Sequence, residues 1–304
     1  MNHLRSILDL SRTDVEQIFG IAARLKAQQK RGEPHLLLRD RALAMIFEKP
    51  SLRTRVTFEV GMFQLGGHTV HLPPEGIQLG VRESVADVAR NLGRWVDGIM
   101  ARVFRHATVE ILAREAGVPV INGLSDREHP CQALADIFTL GEHGLDPKKT
   151  RLAFVGDGNN VCHSLLLLAG ILGMRMTIST PPGYEPDPDL VERARALGAT
   201  VALMPEPAEA VKGVDVVYTD VWTSMGQEAE EEARRAAFHS YQVNRGLLSK
   251  TKRGARVMHC LPAHRGEEIT DEVLDSPESL AWDQAENRLH VQKGILAWIL
   301  AARS

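Results

Sequence analysis

Ser51-Leu52-Arg53-Thr54-Arg55 concentrates two guanidiniums and two hydroxyls in five residues. The run before it, Ala42-Leu43-Ala44-Met45-Ile46-Phe47, is continuously apolar and reads as a short buried strand. Pro50 breaks that strand and Ser51 is a favourable N-cap. Leu52, Val56, Val60 and Phe63 then recur at helical spacing, which predicts a helix carrying them as its apolar stripe. A strand, a tight turn and a helix start leave free backbone N–H groups aimed at one spot, where the helix dipole also favours an anion. Arg53 and Arg55 add forked donors that match phosphate or carboxylate.

Four other clusters carry reactive groups. His129-Pro130-Cys131-Gln132 opens an apolar segment, with Pro130 suited to a first helical turn. His129 and Gln132 there either cap the helix or donate to a carbonyl oxygen, and the residues alone leave both open. Gly156-Asp157-Gly158-Asn159-Asn160-Val161 follows a strand, but Val161 stands where a dinucleotide fingerprint needs Gly or Ala. The next strand also ends in Ser179-Thr180-Pro181-Pro182, without the acidic ribose-binding residue, so no nucleotide cofactor is expected. Asp220-Val221-Trp222-Thr223-Ser224-Met225-Gly226 continues a buried strand into a loop, with Asp220 able to accept from an ammonium group. The glutamates that follow read as a solvated helix face. In His259-Cys260-Leu261-Pro262, Leu261-Pro262 is a candidate cis bond, and Cys260 is a nucleophile, a polar contact or a buried small residue. The His and Cys positions lack a second CxxC or HxxxH partner, so no metal is expected.

Around these clusters, strand-like segments alternate with helical ones. Candidate strands are Leu43–Phe47, Thr69–Leu72, Gly98–Val103, Val118–Ile121, Arg151–Val155, Arg175–Ser179, Thr200–Leu203, Val214–Thr219 and Arg256–Cys260. Ser84–Trp95 predicts a helix with Val85, Val88, Leu92 and Trp95 on one face. The alternation predicts an α/β protein of two domains, each a mostly parallel sheet flanked by helices. Its 304 residues suit two cores better than one. The polar stretch 141–149 is the expected division. It separates a domain at 1–140 from one at 147–288, and the terminal helix, 289–304, returns to the first. Ligands of such sheets collect at the carboxyl ends of strands, where the clusters lie.

A net charge of −3 and 25% charged residues give no reason to expect nucleic acid or a membrane surface. Three scattered cysteines suit a reducing cytoplasm better than a disulfide framework. Met1–Ser11 lacks the apolar stretch of a secretion signal, and Leu165–Met174 is too short to span a bilayer.

Taken together, the clusters resemble one family. Ser51–Arg55 is similar to the Ser-x-Arg-Thr-Arg signature of the transcarbamoylases. The 129–132, 220–226 and 259–263 segments resemble those of the ornithine carbamoyltransferases, in the same order and along essentially the whole chain. The resemblance implies carbamoyl transfer from carbamoyl phosphate to the δ-amine of L-ornithine, without a cofactor. It implies that Ser51, Leu52, Arg53 and Thr54 hold the phosphate, and that Arg102, His129 and Gln132 reach the carbamoyl end. Arg288 matches a further carbamoyl phosphate contact, and Cys260 and Leu261 the segment near the reacting amine. Arg102, His129 and Cys260 are the implied catalytic residues. Asn160, Asp220, Ser224 and Met225 match ornithine contacts. A homotrimer, or a multiple of trimers, is implied, with Gln78 and Arg82 lent to a neighbour's site. Arg82 replaces a commoner lysine and Val81 a commonly polar residue. Aspartate as acceptor is disfavoured because Cys260 stands where that enzyme carries proline. Putrescine and N-acetylornithine are the nearer rivals, and Ser224-Met225-Gly226 favours ornithine over them.

Overall fold

The computed structural model describes residues 3–223 and 228–301. The chain divides into two compact units: residues 1–135 with 287–304, and residues 136–286. Each contains a parallel sheet, flanked by helices.

In the first unit the strands are β1 (Ala42–Phe47), β2 (His68–Leu72), β3 (Gly98–Arg102) and β4 (Val120–Leu124). Their order is β2-β1-β3-β4, all pairs parallel, with Leu43 opposite Gly98 and Phe47 opposite Arg102. The helices are α1 (Arg12–Lys30), α2 (Leu52–Gln64), α3 (Pro74–Ile77), α4 (Val85–Leu92) and α5 (His106–Glu115). Helix α6 (Pro130–Glu142) starts in this unit and ends in the next. Ile46, Ile99, Val109, Leu112 and Val120 form the core between sheet and helices. Strand β4 begins two residues after the expected Val118, because Pro119 has no N–H to contribute to a ladder.

The second unit orders its strands β7-β6-β5-β8-β9, again all parallel. These are β5 (Arg151–Val155), β6 (Arg175–Ser179), β7 (Thr200–Leu203), β8 (Val216–Thr219) and β9 (Arg256–His259). Its helices are α7 (Asn160–Leu172), α8 (Pro188–Leu197), α9 (Pro207–Ala210), α10 (Glu231–Phe238), α11 (Arg245–Leu248) and α12 (Asp271–Leu274). Trp222, Phe238, Tyr241 and Val257 anchor its core. Helix α13 (Ala281–Leu300) begins here and passes into the first unit at Asn287.

Two expectations are corrected. Helix α2 forms, but its inward face is Thr54, Phe58, Gly61 and Met62. Leu52, Val56 and Phe63 point out, at 74%, 45% and 79% exposure. Periodicity locates a stripe without saying which side is covered. Helix α4 stops at Leu92, leaving Trp95 71% exposed rather than on its buried face. The chain turns at Gly93, where a Cβ would sit 1.6 Å from the Ala116 carbonyl oxygen. Only glycine permits that approach.

Residues 287–301 close the first unit with buried polar contacts. Lys26 Nζ donates to Asn287 Oδ1 at 2.7 Å. Lys293 Nζ, fully buried, donates to Gln29 Oε1 at 2.6 Å and Gln64 Oε1 at 2.8 Å, with His35 Nε2 at 3.3 Å.

Candidate functional site

Where the strand order reverses, the loops leaving two neighbouring strands part and open a crevice at their carboxyl ends. In the first unit β1 and β3 are that pair. The turn after β1 delivers Ser51–Thr54, and Arg102 is the last residue of β3. Ser51 caps α2, its Oγ accepting from Thr54 N at 3.2 Å. The Thr54 hydroxyl receives two guanidiniums: Arg288 Nη2 at 3.1 Å and Arg102 Nη1 at 3.5 Å. Arg288 also donates to Gln132 Oε1. Thr54, Arg102, Gln132 and Arg288 are all buried.

His129 directly precedes α6, its carbonyl accepting from Gln132 N and Ala133 N. Burial pushes its pKa well below the ordinary imidazole value, and Arg288, Arg102 and Arg53 push it further the same way. The ring is therefore neutral at physiological pH and keeps one N–H to donate. The positive field that neutralises His129 is also a field for an anion, at a helix start whose first N–H groups lack intrahelical acceptors. Arg55, expected to join this group, instead pairs with Glu59 one turn along α2 at 3.0 Å. A cavity of about 600 Å³ borders the turn, lined by Phe47, Ser51, Leu52, Arg55 and His71. Gln78 and Arg82 lie on the exposed stretch between α3 and α4.

In the second unit the strand order reverses between β5 and β8. Asn159 and Asn160 follow β5, Asp220 follows β8, and Cys260 follows β9. Among the described residues Asp220 accepts three hydrogen bonds: Asn159 Nδ2 at 2.8 Å on Oδ2, and Val221 N at 2.8 Å and Cys260 Sγ at 3.0 Å on Oδ1. Burial, and then Asp220, push the Cys260 thiol pKa well above its usual value. Of the three roles open for Cys260, the structure supports a polar contact made by a neutral thiol.

His259 Nδ1 accepts from Leu261 N at 2.9 Å, which leaves the ring proton on Nε2 for Glu268 Oε1 at 2.9 Å. Leu261-Pro262 is cis. His259 N donates to Gln284 Oε1, and Asp136 accepts from both Gln284 and Tyr218. Asp220, His259 and Cys260 offer ligand atoms within 4.8 Å of one another. Both His259 nitrogens and the thiol already have protein partners, so the trio is a hydrogen-bonded cluster in the form described. Asp157, its pKa raised to about 6 by burial against the pull of Arg234, pairs with Arg234 at 3.0 Å. Arg234 also donates to the Trp222 carbonyl at 2.9 Å. The Gly-x-Gly that suggested a nucleotide has a packing explanation: a Cβ on Gly158 would meet Pro186 N at 2.2 Å. Ser224 and Met225 lie outside the described residues.

Residues 2–142 match the family described as aspartate/ornithine carbamoyltransferase, carbamoyl-P binding domain. Residues 148–299 match its Asp/Orn binding domain. The chain belongs to the aspartate/ornithine carbamoyltransferase family. It is 53% identical, over all of its length and 99% of the relative's, to an ornithine carbamoyltransferase of Archaeoglobus fulgidus. A Pyrococcus furiosus relative named "Ornithine carbamoyltransferase, anabolic" is 52% identical over 97% of this chain and 96% of its own. A solved ornithine carbamoyltransferase structure from Pyrococcus furiosus superposes with a TM-score of 0.96 at 50% identity, covering 100% and 98% of the two chains.

For this carbamoyltransferase-family chain, sequence reasoning named Asn159 within its cluster but gave it no role, and gave none to Tyr218, Glu268 and Gln284. Asn159 had a usable signal, since an asparagine just ahead of a helical run is an N-cap candidate. The others become visible only when β8, β9, the loop ahead of α12 and the start of α13 are brought together.

Proposed function

We propose that the chain transfers the carbamoyl group of carbamoyl phosphate to the δ-amine of L-ornithine, giving L-citrulline and phosphate. The observation that carries this is the convergence of Arg102 and Arg288 on the Thr54 hydroxyl beside a neutral His129, in a chain of this family. Carbamoyl phosphate is the ligand of the first unit, held by Ser51, Leu52, Arg53, Thr54, Gln132 and Arg288. Ornithine is the ligand of the second, held by Asn160, Asp220, Ser224 and Met225.

In this mechanism the neutral δ-amine attacks the planar carbamoyl carbon and an N–C bond forms. Negative charge grows on the carbonyl oxygen, where Thr54, Arg102 and His129 supply donors. A neutral imidazole suits that role, because it donates without carrying an acidic proton. The C–O bond to phosphate then breaks, Arg53 stabilises the departing phosphate, and the phosphate takes the amine's proton to leave as the HPO4 dianion. The Cys260 thiol stays protonated and steadies Asp220, with Leu261 beside the reacting amine. No protein nucleophile is required.

The working molecule is a homotrimer or a multiple of trimers in the cytoplasm, with Gln78 and Arg82 lent across the interface. The uncovered stripe Leu52, Val56 and Phe63 on α2, together with Val70 on edge strand β2, supports an apolar partner surface. Buried free thiols at Cys131, Cys162 and Cys260 support a reducing compartment. No described helix is long and apolar enough to cross a membrane. The anabolic relative supports the citrulline-forming direction, in arginine biosynthesis.

A citrulline or ureido-product assay with ornithine, putrescine, N-acetylornithine and aspartate tests the assignment. Ornithine is expected to give the highest kcat/KM. A higher value for putrescine or N-acetylornithine would replace the acceptor, and no product from any of the four would end the proposal.

A further inference from the structure

Asn159 has both ends of its carboxamide committed. Its Oδ1 accepts from Val161 N at 3.0 Å and Cys162 N at 3.2 Å, capping α7. That fixes which way the amide faces: Nδ2 turns from the helix and donates to Asp220 Oδ2 at 2.8 Å. Asp220 Oδ1 is filled by Val221 N and the Cys260 thiol. A carboxylate offers about four lone-pair positions. Among the described residues three are taken, which leaves one, on Oδ2, in a direction set by Asn159. Asp220 is itself buried and follows the strand paired with β5, at the point where the sheet order reverses.

Resting on the assignment of Asp220 to ornithine, we propose that Asn159 is a positioning residue. It aims the remaining Asp220 lone pair at the ligand's free ammonium group, and so selects a free amine over an acylated one. The carboxamide is suited to this because its acceptor end is held by a helix terminus. The donor end cannot rotate away without uncapping α7. An N-acylated amine offers that lone pair only a neutral amide N–H and adds acyl bulk, so the charge-assisted hydrogen bond is lost.

Serine caps helices as well as asparagine does, but its hydroxyl is too short to reach Asp220 as well. Asn159→Ser therefore separates the cap from the positioning contact. In Asn159→Ser the ornithine KM is expected to rise about tenfold or more, since a hydrogen bond to a charged group is lost. The carbamoyl phosphate KM and the Tm should stay near wild type. The ratio of kcat/KM for ornithine to that for N-acetylornithine should fall.

Asn159→Asp keeps the cap and sets two carboxylates face to face, which share one proton at low pH and repel when it is lost. Its ornithine KM should climb with pH relative to wild type. Asp136, Asp157, Cys162, Tyr218, Arg234, His259 and Cys260 are the other titratable or charged groups around the pair, and they are common to both proteins. Wild-type ornithine KM and pH profile in both variants would overturn the proposal. A parallel rise in both KM values with a lowered Tm would also overturn it, reducing Asn159 to a cap. Failure of the wild type to carbamoylate ornithine would instead remove the functional assignment beneath it, and is read before either variant.

Discussion

Arg102 meets the Thr54 hydroxyl from the end of β3, and Arg288 meets the same oxygen from α13. One hydroxyl thus sits between two guanidiniums. Their positive field suits an incoming anion, and after burial it is what holds His129 neutral. Removing one oxyanion donor from such a site typically costs about 10²–10³ in turnover, or roughly 3–4 kcal/mol. Arg102→Ala is expected to lose kcat by that amount in a folded protein, checked by steady-state kinetics beside circular dichroism. At this scale the sequence was partly legible. Ser51, Arg53, Thr54 and Arg102 stand at strand ends, where a local reading finds them. Arg288 lies 234 residues from its Thr54 partner and carries no local mark, so only the family resemblance pointed to it.

Strands of the two sheets were legible because a strand covered on both faces must be apolar throughout, and Ala42–Phe47 or Arg151–Val155 leave little else to read. Helices were legible in place but not always in orientation. The stripe on α2 is apolar yet faces out, because what covers an apolar stripe is a tertiary fact. The last helix shows the opposite case, with the charge of Lys293 buried among side chains that carry none in the contacts described. Burial lowers the Lys293 pKa from 10.5 to about 8. Between those two values the unfolded chain holds a proton that the folded chain has released. Stability from this residue therefore rises with pH across the window and is lost as pH falls through about 8. Measured by denaturant titration, wild type should gain on Lys293→Met as pH goes from 8 to 10.5. A constant difference between the two proteins would contradict that origin.

For the molecule as a whole, the exposed α2 stripe is the feature most at odds with a lone subunit. Phe63 at 79% exposure and Leu52 at 74% lie on one helix, with Val56 between them. If a second copy covers them, a charge placed there must be desolvated on assembly. Phe63→Glu combined with Leu52→Asp is therefore expected to shift the assembly to single subunits in light scattering, with each subunit's fold retained. An unchanged mass would show that assembly uses other surfaces.

The first unit is discontinuous: its sheet is made from residues before 136, yet it is completed by residues from 287 onward. Arg288, which meets both Thr54 and Gln132, belongs to that late piece. Domains emerging from a ribosome generally fold as units, the earlier ones first. Here the earlier unit must wait, while the intervening segment has all its strands before the tail appears. A nascent chain arrested before Asn287 would carry the Ser51–Thr54 turn and still lack one of its two guanidinium partners. On the proposed assignment of Arg288 to carbamoyl phosphate, premature termination ahead of it would leave a chain with a weakened hold on that ligand.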